Sequence, residues 1–66
     1  MKGVVQSFDD RRGFGFIVDE RERIFFVHYT QIQGSGFKSL KVGQKVEFSG
    51  YETDQGFEAK DVKVYE

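Results

Sequence analysis

Apolar residues in this chain fall in short runs rich in Val, Ile, Phe and Tyr, and helical spacing is nowhere sustained over three turns. Polar, Gly-bearing breaks separate the runs. The pattern predicts five strands: about Lys2 to Phe8, Gly13 to Val18, Ile24 to Tyr29, Lys45 to Glu52 and Phe57 to Tyr65. The segment DDRR, Asp9 to Arg12, turns the first strand, DERER joins the second to the third, and TDQG precedes the last. With no proline in the chain, these turns depend on Gly, Asp and Ser chemistry. One connection is long: TQIQGSGFKSLKVGQ follows the third strand and carries Gly34, Gly36 and Gly43.

Five strands interrupted once after the third suggest an all-β, five-stranded antiparallel Greek-key barrel of the OB type. Other small barrels share this periodicity. No stretch reads as a linker, a repeat or low-complexity sequence, so residues 1–66 are expected to form one domain.

Alternate residues of a strand share a face. Phe14, Phe16 and Val18 therefore point one way, and Gly15 and Ile17 the other. In the third strand Phe26 and His28 share one parity, and Phe25, Val27 and Tyr29 the other. A hairpin centred on Arg21 sets Phe16 opposite Phe26 and Phe14 opposite His28, and directly opposed residues face the same way. One face of the hairpin is then a contiguous patch of Phe14, Phe16, Phe26 and His28. The other carries Gly15, Ile17, Phe25 and Val27, with Val5, Val46, Phe48 and Val62 as core partners. A single-layer barrel wall has only one interior, and the aliphatic Ile17 face suits it better. The Phe14 face, flanked by Arg12 and Gly13, is assigned to the surface. An exposed contiguous apolar patch marks a binding site, unless dimerisation covers it.

Composition sharpens this reading. Phe contributes eight residues against a single Leu, Leu40, so rings rather than aliphatic side chains dominate the apolar inventory. Cysteine is absent, which removes disulfides and thiolate metal sites and fits a reducing compartment. No apolar run approaches a membrane span, and the start MKGVVQSFDDRR is too weakly apolar for a signal peptide, so a soluble cytoplasmic protein is expected. Ten basic residues against eleven acidic ones leave a net charge of −1, which provides no long-range pull toward a polyanion.

The string RRGFGFIV matches most of the ribonucleoprotein signature K/R-G-F/Y-G/A-F-V-x-F/Y through Arg12, Gly13, Phe14, Gly15 and Phe16, with Asp19 departing at the last position. That departure, and the lack of two helices, speaks against an RNA-recognition motif. Taken with FFVHY and the loop IQGSGFKSL, the whole chain resembles the bacterial cold-shock proteins. The resemblance implies an OB-type barrel that binds single-stranded RNA and DNA, often preferring pyrimidines. It also implies a role as an RNA chaperone and in transcription or translation control. The family's stacking positions map onto Phe14, Phe16, Phe26, His28, Tyr29 and Phe37, and its basic residue before the Gly-Phe string onto Arg12.

Elementary chemistry agrees. Unpaired bases stack on aromatic rings whatever their identity, at about 1–3 kcal/mol per base, so a ring platform needs no strongly basic surface. Gly13 and Gly15 are expected to leave room beside the rings for a base to approach. Arg12 can pair with phosphate or stack on a base, and Lys38 and Lys60 are further phosphate contacts. Phe37, between Gly36 and Lys38, reads as a ring on a loop arm, with a core position as the alternative. Further candidates are Gln6, Ser7, Phe8 and Phe57.

This chain also departs from the family pattern. The first strand of the family presents Lys, Lys and Trp, where Val4, Gln6 and Ser7 stand here. Asp9 replaces a usual Asn, and Glu58 an expected Gln. Phe57 stands where Pro is common and either restores one ring or packs. The binding surface is expected to be shortened at its first-strand end.

No nucleophile, paired acids or phosphate loop is recognisable, so no enzyme activity and no cofactor are expected. The single histidine has no Cys or nearby carboxylate in the hairpin register, and reads as a stacking or hydrogen-bonding ring rather than a metal ligand. The rival class is a protein-interaction barrel of the Src-homology type gripping proline-rich peptides. Its site is built mainly from loops, whereas these rings sit mid-strand. A monomer is expected, with a dimer as the alternative.

Overall fold

A computed structural model of the chain describes residues 1–34 and 39–65. The strands are β1 (Lys2–Asp9), β2 (Phe14–Asp19), β3 (Ile24–His28), β4 (Lys45–Thr53) and β5 (Gly56–Val64), with a single 3₁₀ turn, Tyr29–Gln31, after β3. They close into a barrel in the order β1-β2-β3-β5-β4. All pairings are antiparallel except β3 with β5, which run parallel. This is the five-stranded OB arrangement expected from the strand count.

The strands fall where the alternation predicts, and their ends differ for local reasons. Gly13 adopts φ +76°, a left-handed conformation that ends the β1–β2 turn and keeps it out of β2. Tyr29 leaves β3 because His28 caps the 3₁₀ turn. The His28 Nδ1 accepts from the Thr30 backbone N–H at 3.4 Å and lies 2.9 Å from the Thr30 hydroxyl.

Val5, Ile17, Phe25, Val27, Ile32, Leu40, Val46, Phe48, Ala59 and Val62 fill the barrel. Ile17, Phe25 and Val27 of the predicted inner face and all four of their predicted partners are among them. Ile32 and Leu40, from the long connection, complete the packing, and Ile32 forms an isolated parallel bridge to Val62. Phe25 meets Phe48 edge-on with centroids 5.0 Å apart. Each such side chain taken fully out of water stabilises the fold by about 1.5–3 kcal/mol.

Two bulges interrupt the alternation. Between Val5↔Ile17 and Ser7↔Phe16, the extra residue on β1 is Gln6. Between Glu47↔Lys63 and Ser49↔Lys60 the extra residue lies on β5, where Asp61 takes φ +53°. A bulge bends its strand and re-aims the side chains beyond it.

Candidate nucleic-acid interface

The β2–β3 pair carries the centre of the site. Phe14 pairs with His28 and Phe16 with Phe26, in the register that a loop centred on Arg21 requires. Phe26 lies between the other two rings, 5.6 Å from Phe14 and 5.9 Å from Phe16 by centroid. These three rings and His28 are half-buried, whereas Ile17 and Val27 on the opposite face are fully buried, at 0 % exposure. The strands thus turn one apolar face inward and hold the other at the surface.

Tyr29 extends the row. The residue is 46 % exposed, and its ring centroid lies 4.7 Å from that of the His28 imidazole. It lies over Gly13, where a Cβ would come within 2.6 Å of the ring. Gly15 faces inward, and a Cβ there would strike the Ser7 carbonyl and Phe8. The two glycines therefore admit Tyr29 and the first strand, not a base, which corrects the expectation for them.

The β1–β2 turn holds Arg12 at the end of the patch. One carboxylate oxygen of Asp9 accepts from the N–H groups of Arg11 and Arg12 at 2.9 and 3.2 Å, folding the turn around that side chain. Asp9 is thus committed to the local backbone. Its 3.9 Å ion pair with Arg12 is a solvated one, of the kind worth little, and the Arg12 side chain remains 74 % exposed. Ser39 donates to Asp10 at 2.7 Å and ties the exit of the long connection to this turn. Phe37 and Lys38 lie outside the described residues.

The bulge at Gln6 decides what β1 contributes. Beyond it Ser7 is exposed and sits directly across from Phe16, on the patch face. Phe8 pairs with Gly15 and packs against the core, so its ring turns away from the patch. Gln6 is exposed at the bulge itself.

On the far side, the parallel pairing sets Glu58 beside Phe26, and the β4–β5 ladder sets Tyr51 beside Glu58. Phe57 packs on Phe25 at 5.2 Å and also helps to line an open cleft of about 400 Å³ with Phe16, Ile24, Phe26 and Glu58. The Lys60 ammonium lies over the Tyr51 ring, 5.0 Å from its centroid. Tyr51 and Ile24, each 48 % exposed, were not singled out from the sequence. Ile24 has the parity of Phe26, so its direction was readable; Tyr51 joins the patch only through pairings with distant strands.

At the hairpin end, Asp19 is 8 % exposed, buried but well supplied with donors. It accepts from the Arg21 and Arg23 N–H groups at 3.0 and 2.8 Å and from the Arg23 guanidinium at 2.9 Å. Burial pushes its pKa up, but these hydrogen bonds and the Arg23 charge outweigh it and hold the carboxyl below its ordinary value. The same guanidinium lies 5.7 Å from the Phe25 and Phe57 centroids, so Arg23 joins the loop to the rim of the cleft. Among the described residues no group of three or more His, Cys, Asp or Glu could hold a metal ion, and no helix is long and apolar enough to cross a membrane.

A five-stranded barrel with rings on the outer face of its second and third strands is the architecture of oligonucleotide-binding barrels. A family profile described as "'Cold-shock' DNA-binding domain" matches residues 1–65. The chain is 48 % identical over 62 residues to the major cold shock protein CspA of Pseudomonas aeruginosa, covering 94 % of this chain and 90 % of that one. It is 46 % identical to a cold shock-like protein of Thermotoga maritima over the full length of both. Among solved structures, drosophila Unr CSD456 superposes with a TM-score of 0.76 at 25 % identity, over 98 % of this chain and 26 % of that one. The chain belongs to the cold-shock domain family, whose members bind nucleic acid rather than act as enzymes.

Proposed function

We propose that this protein binds single-stranded RNA and DNA by stacking bases on the outer face of β2 and β3, as an RNA chaperone or a regulator of transcription or translation in the cytoplasm. Phe14, Phe16, Phe26, His28, Tyr29 and Phe37 act as stacking rings, and Arg12 and Lys38 as backbone contacts. Gln6, Ser7, Phe57 and Lys60 border the path; Phe8 serves it only by supporting β1 from the core side. The chain acts as one domain and as a monomer, and favours pyrimidine-rich strands.

The observation that carries this reading is the outward row Phe14–Phe26–Phe16, with centroid spacings of 5.6 and 5.9 Å, on a strand pair whose other face already fills the core. Three adjoining rings in half-exposed positions have no packing role that requires all of them. Each offers a π-face to a base, which makes binding tolerant of sequence and independent of a strong positive field.

Tyrosine fluorescence titration tests this directly. Oligothymidine should quench or shift the Tyr29 and Tyr51 emission, while a duplex of equal length should bind far more weakly, because paired bases keep their faces stacked on one another. Equal affinity for duplex and single strand would contradict the mechanism. Binding of a proline-rich peptide without oligonucleotide binding would replace it with the protein-interaction reading.

A further inference from the structure

Two carboxylates adjoin the rings of the outer face among the described residues: Asp9, opposite Phe14, is already taken up by the N–H groups of Arg11 and Arg12, whereas Glu58 is not so committed. Glu58 is half-buried, pairs in register with Phe26 on one side and Tyr51 on the other, and lines the cleft with Phe16, Phe26 and Phe57. Adjacent strands lie about 4.8 Å apart, so its carboxylate stands one strand away from each of two rings. Its neighbour on the same face, Lys60, has its ammonium over the Tyr51 ring. Among the described residues Glu58 has neither an ion pair nor a hydrogen bond to its carboxylate. An acceptor without donors in a half-buried cleft gains from any ligand that supplies them.

Resting on the stacking function above, we infer that Glu58 is a specificity-determining residue, which selects cytosine over thymine or uracil for the base held in the Phe16–Phe26–Phe57 cleft. An ionised carboxylate only accepts hydrogen bonds. A stacked base exposes its edge in the plane of its ring, toward the strand beside the ring it covers, which here is Glu58. Cytosine presents the N4 amino donor on that edge, and Glu or Asp accepting from this amino group is an established pairing. Thymine and uracil present O4 instead, an acceptor that meets the carboxylate with repulsion, and their one N3–H donor is flanked by two carbonyls. The preference is thus set by a charge on β5, while the rings of β2 and β3 stay indifferent to base identity.

The experiment compares short oligodeoxycytidine and oligothymidine of equal length on the wild type and on Glu58→Gln. The wild type should bind the cytosine strand about tenfold more tightly, within the range for one base-edge contact. Glu58→Gln, whose amide both donates and accepts, should abolish or reverse that ratio. A third strand, built on 2-pyrimidinone so that only the 4-amino group is missing, should lose the preference on the unaltered protein, which removes any dependence on how the variant folds. The same cytosine-to-thymine ratio in wild type and Glu58→Gln, or full retention of affinity for the 2-pyrimidinone strand, would overturn the inference while leaving single-strand binding intact. Failure of the wild type to bind any single strand would instead remove the stacking function on which it rests.

Discussion

The two faces of the β2–β3 hairpin are built from similar residues and have opposite fates. Inward, Ile17, Phe25 and Val27 are 0–2 % exposed and touch the rest of the barrel. Outward, Phe14, Phe16 and Phe26 are just as apolar, yet they stay half-buried, with Phe26 at centroid spacings of 5.6 and 5.9 Å from the other two. Hydrophobicity therefore does not assign a role here. A barrel wall one layer thick has a single interior, and a second apolar face on the same strands is free to meet a ligand.

The contrast is sharpest at Ile17. Replacing it with Ala opens a cavity at a fully buried site and should cost about 2–5 kcal/mol of stability, read as a lowered urea midpoint. Affinity per folded molecule should hardly change. If Ile17→Ala is tolerated while Phe14→Ala unfolds the barrel, the two faces have been assigned the wrong way round.

On the outer face the currency changes. Phe14→Ala and Phe26→Ala should each weaken oligonucleotide binding by about 1–3 kcal/mol, with a smaller loss of stability than Ile17→Ala. Phe26, which lies between two rings, should lose more than Phe14. Titration alongside a urea melt separates the two effects, and variants that bind like wild type would show that the strand takes another path.

Ser7 probes where that face ends. It is exposed and directly opposite Phe16, so Ser7→Trp adds a stacking surface at the margin of the patch. Binding of a pyrimidine-rich strand should tighten by about 1–3 kcal/mol, the value of one base–aromatic stack. Stability should stay within about 0.5 kcal/mol, as for most surface substitutions. Unchanged affinity in a folded variant would end the path short of β1.

Asp19 ties the hairpin end to the inner face and gives the comparison a pH axis. Its pKa is held below the ordinary value of 3.8 in the folded protein. The unfolded chain therefore takes up the proton first, so the contribution of Asp19 is present above its unfolded pKa and is lost as pH falls through the lower, folded one. The urea midpoint of the wild type should fall more steeply below about pH 4 than that of Asp19→Asn, which has no such proton to bind. Parallel acid profiles would mean that the Arg23 contacts contribute nothing.

The smallest effect concerns charge. Arg12 is exposed, whereas Lys60 is drawn over Tyr51, so only two or three phosphates should be neutralised. At about 0.7 per phosphate on a single strand, the log–log salt slope should be near 2. A slope steeper than about 4 would make backbone charge, not ring stacking, the main source of affinity.

The amino-acid sequence by itself determined the β2–β3 hairpin: its register, its two faces and which residues each would carry. Its loop is short and neither arm carries a bulge in this ladder, so a loop centred on Arg21 sets every pair from Phe14↔His28 to Val18↔Ile24. Only the tertiary structure decided the rest of the patch. Strict alternation from Val5 would send Ser7 inward and Phe8 outward. The bulge at Gln6 reverses them, because β1 must meet Gly15 with the Phe8 ring while Val5 stays opposite Ile17. Glu58 and Tyr51 reach the rings only because β5 closes the barrel in parallel against β3, placing Phe26 beside a residue far along the chain. Local periodicity carries no information about such a closure. It comes from burying the faces of all five strands in one interior, and that demand put the Glu58 carboxylate beside Phe26.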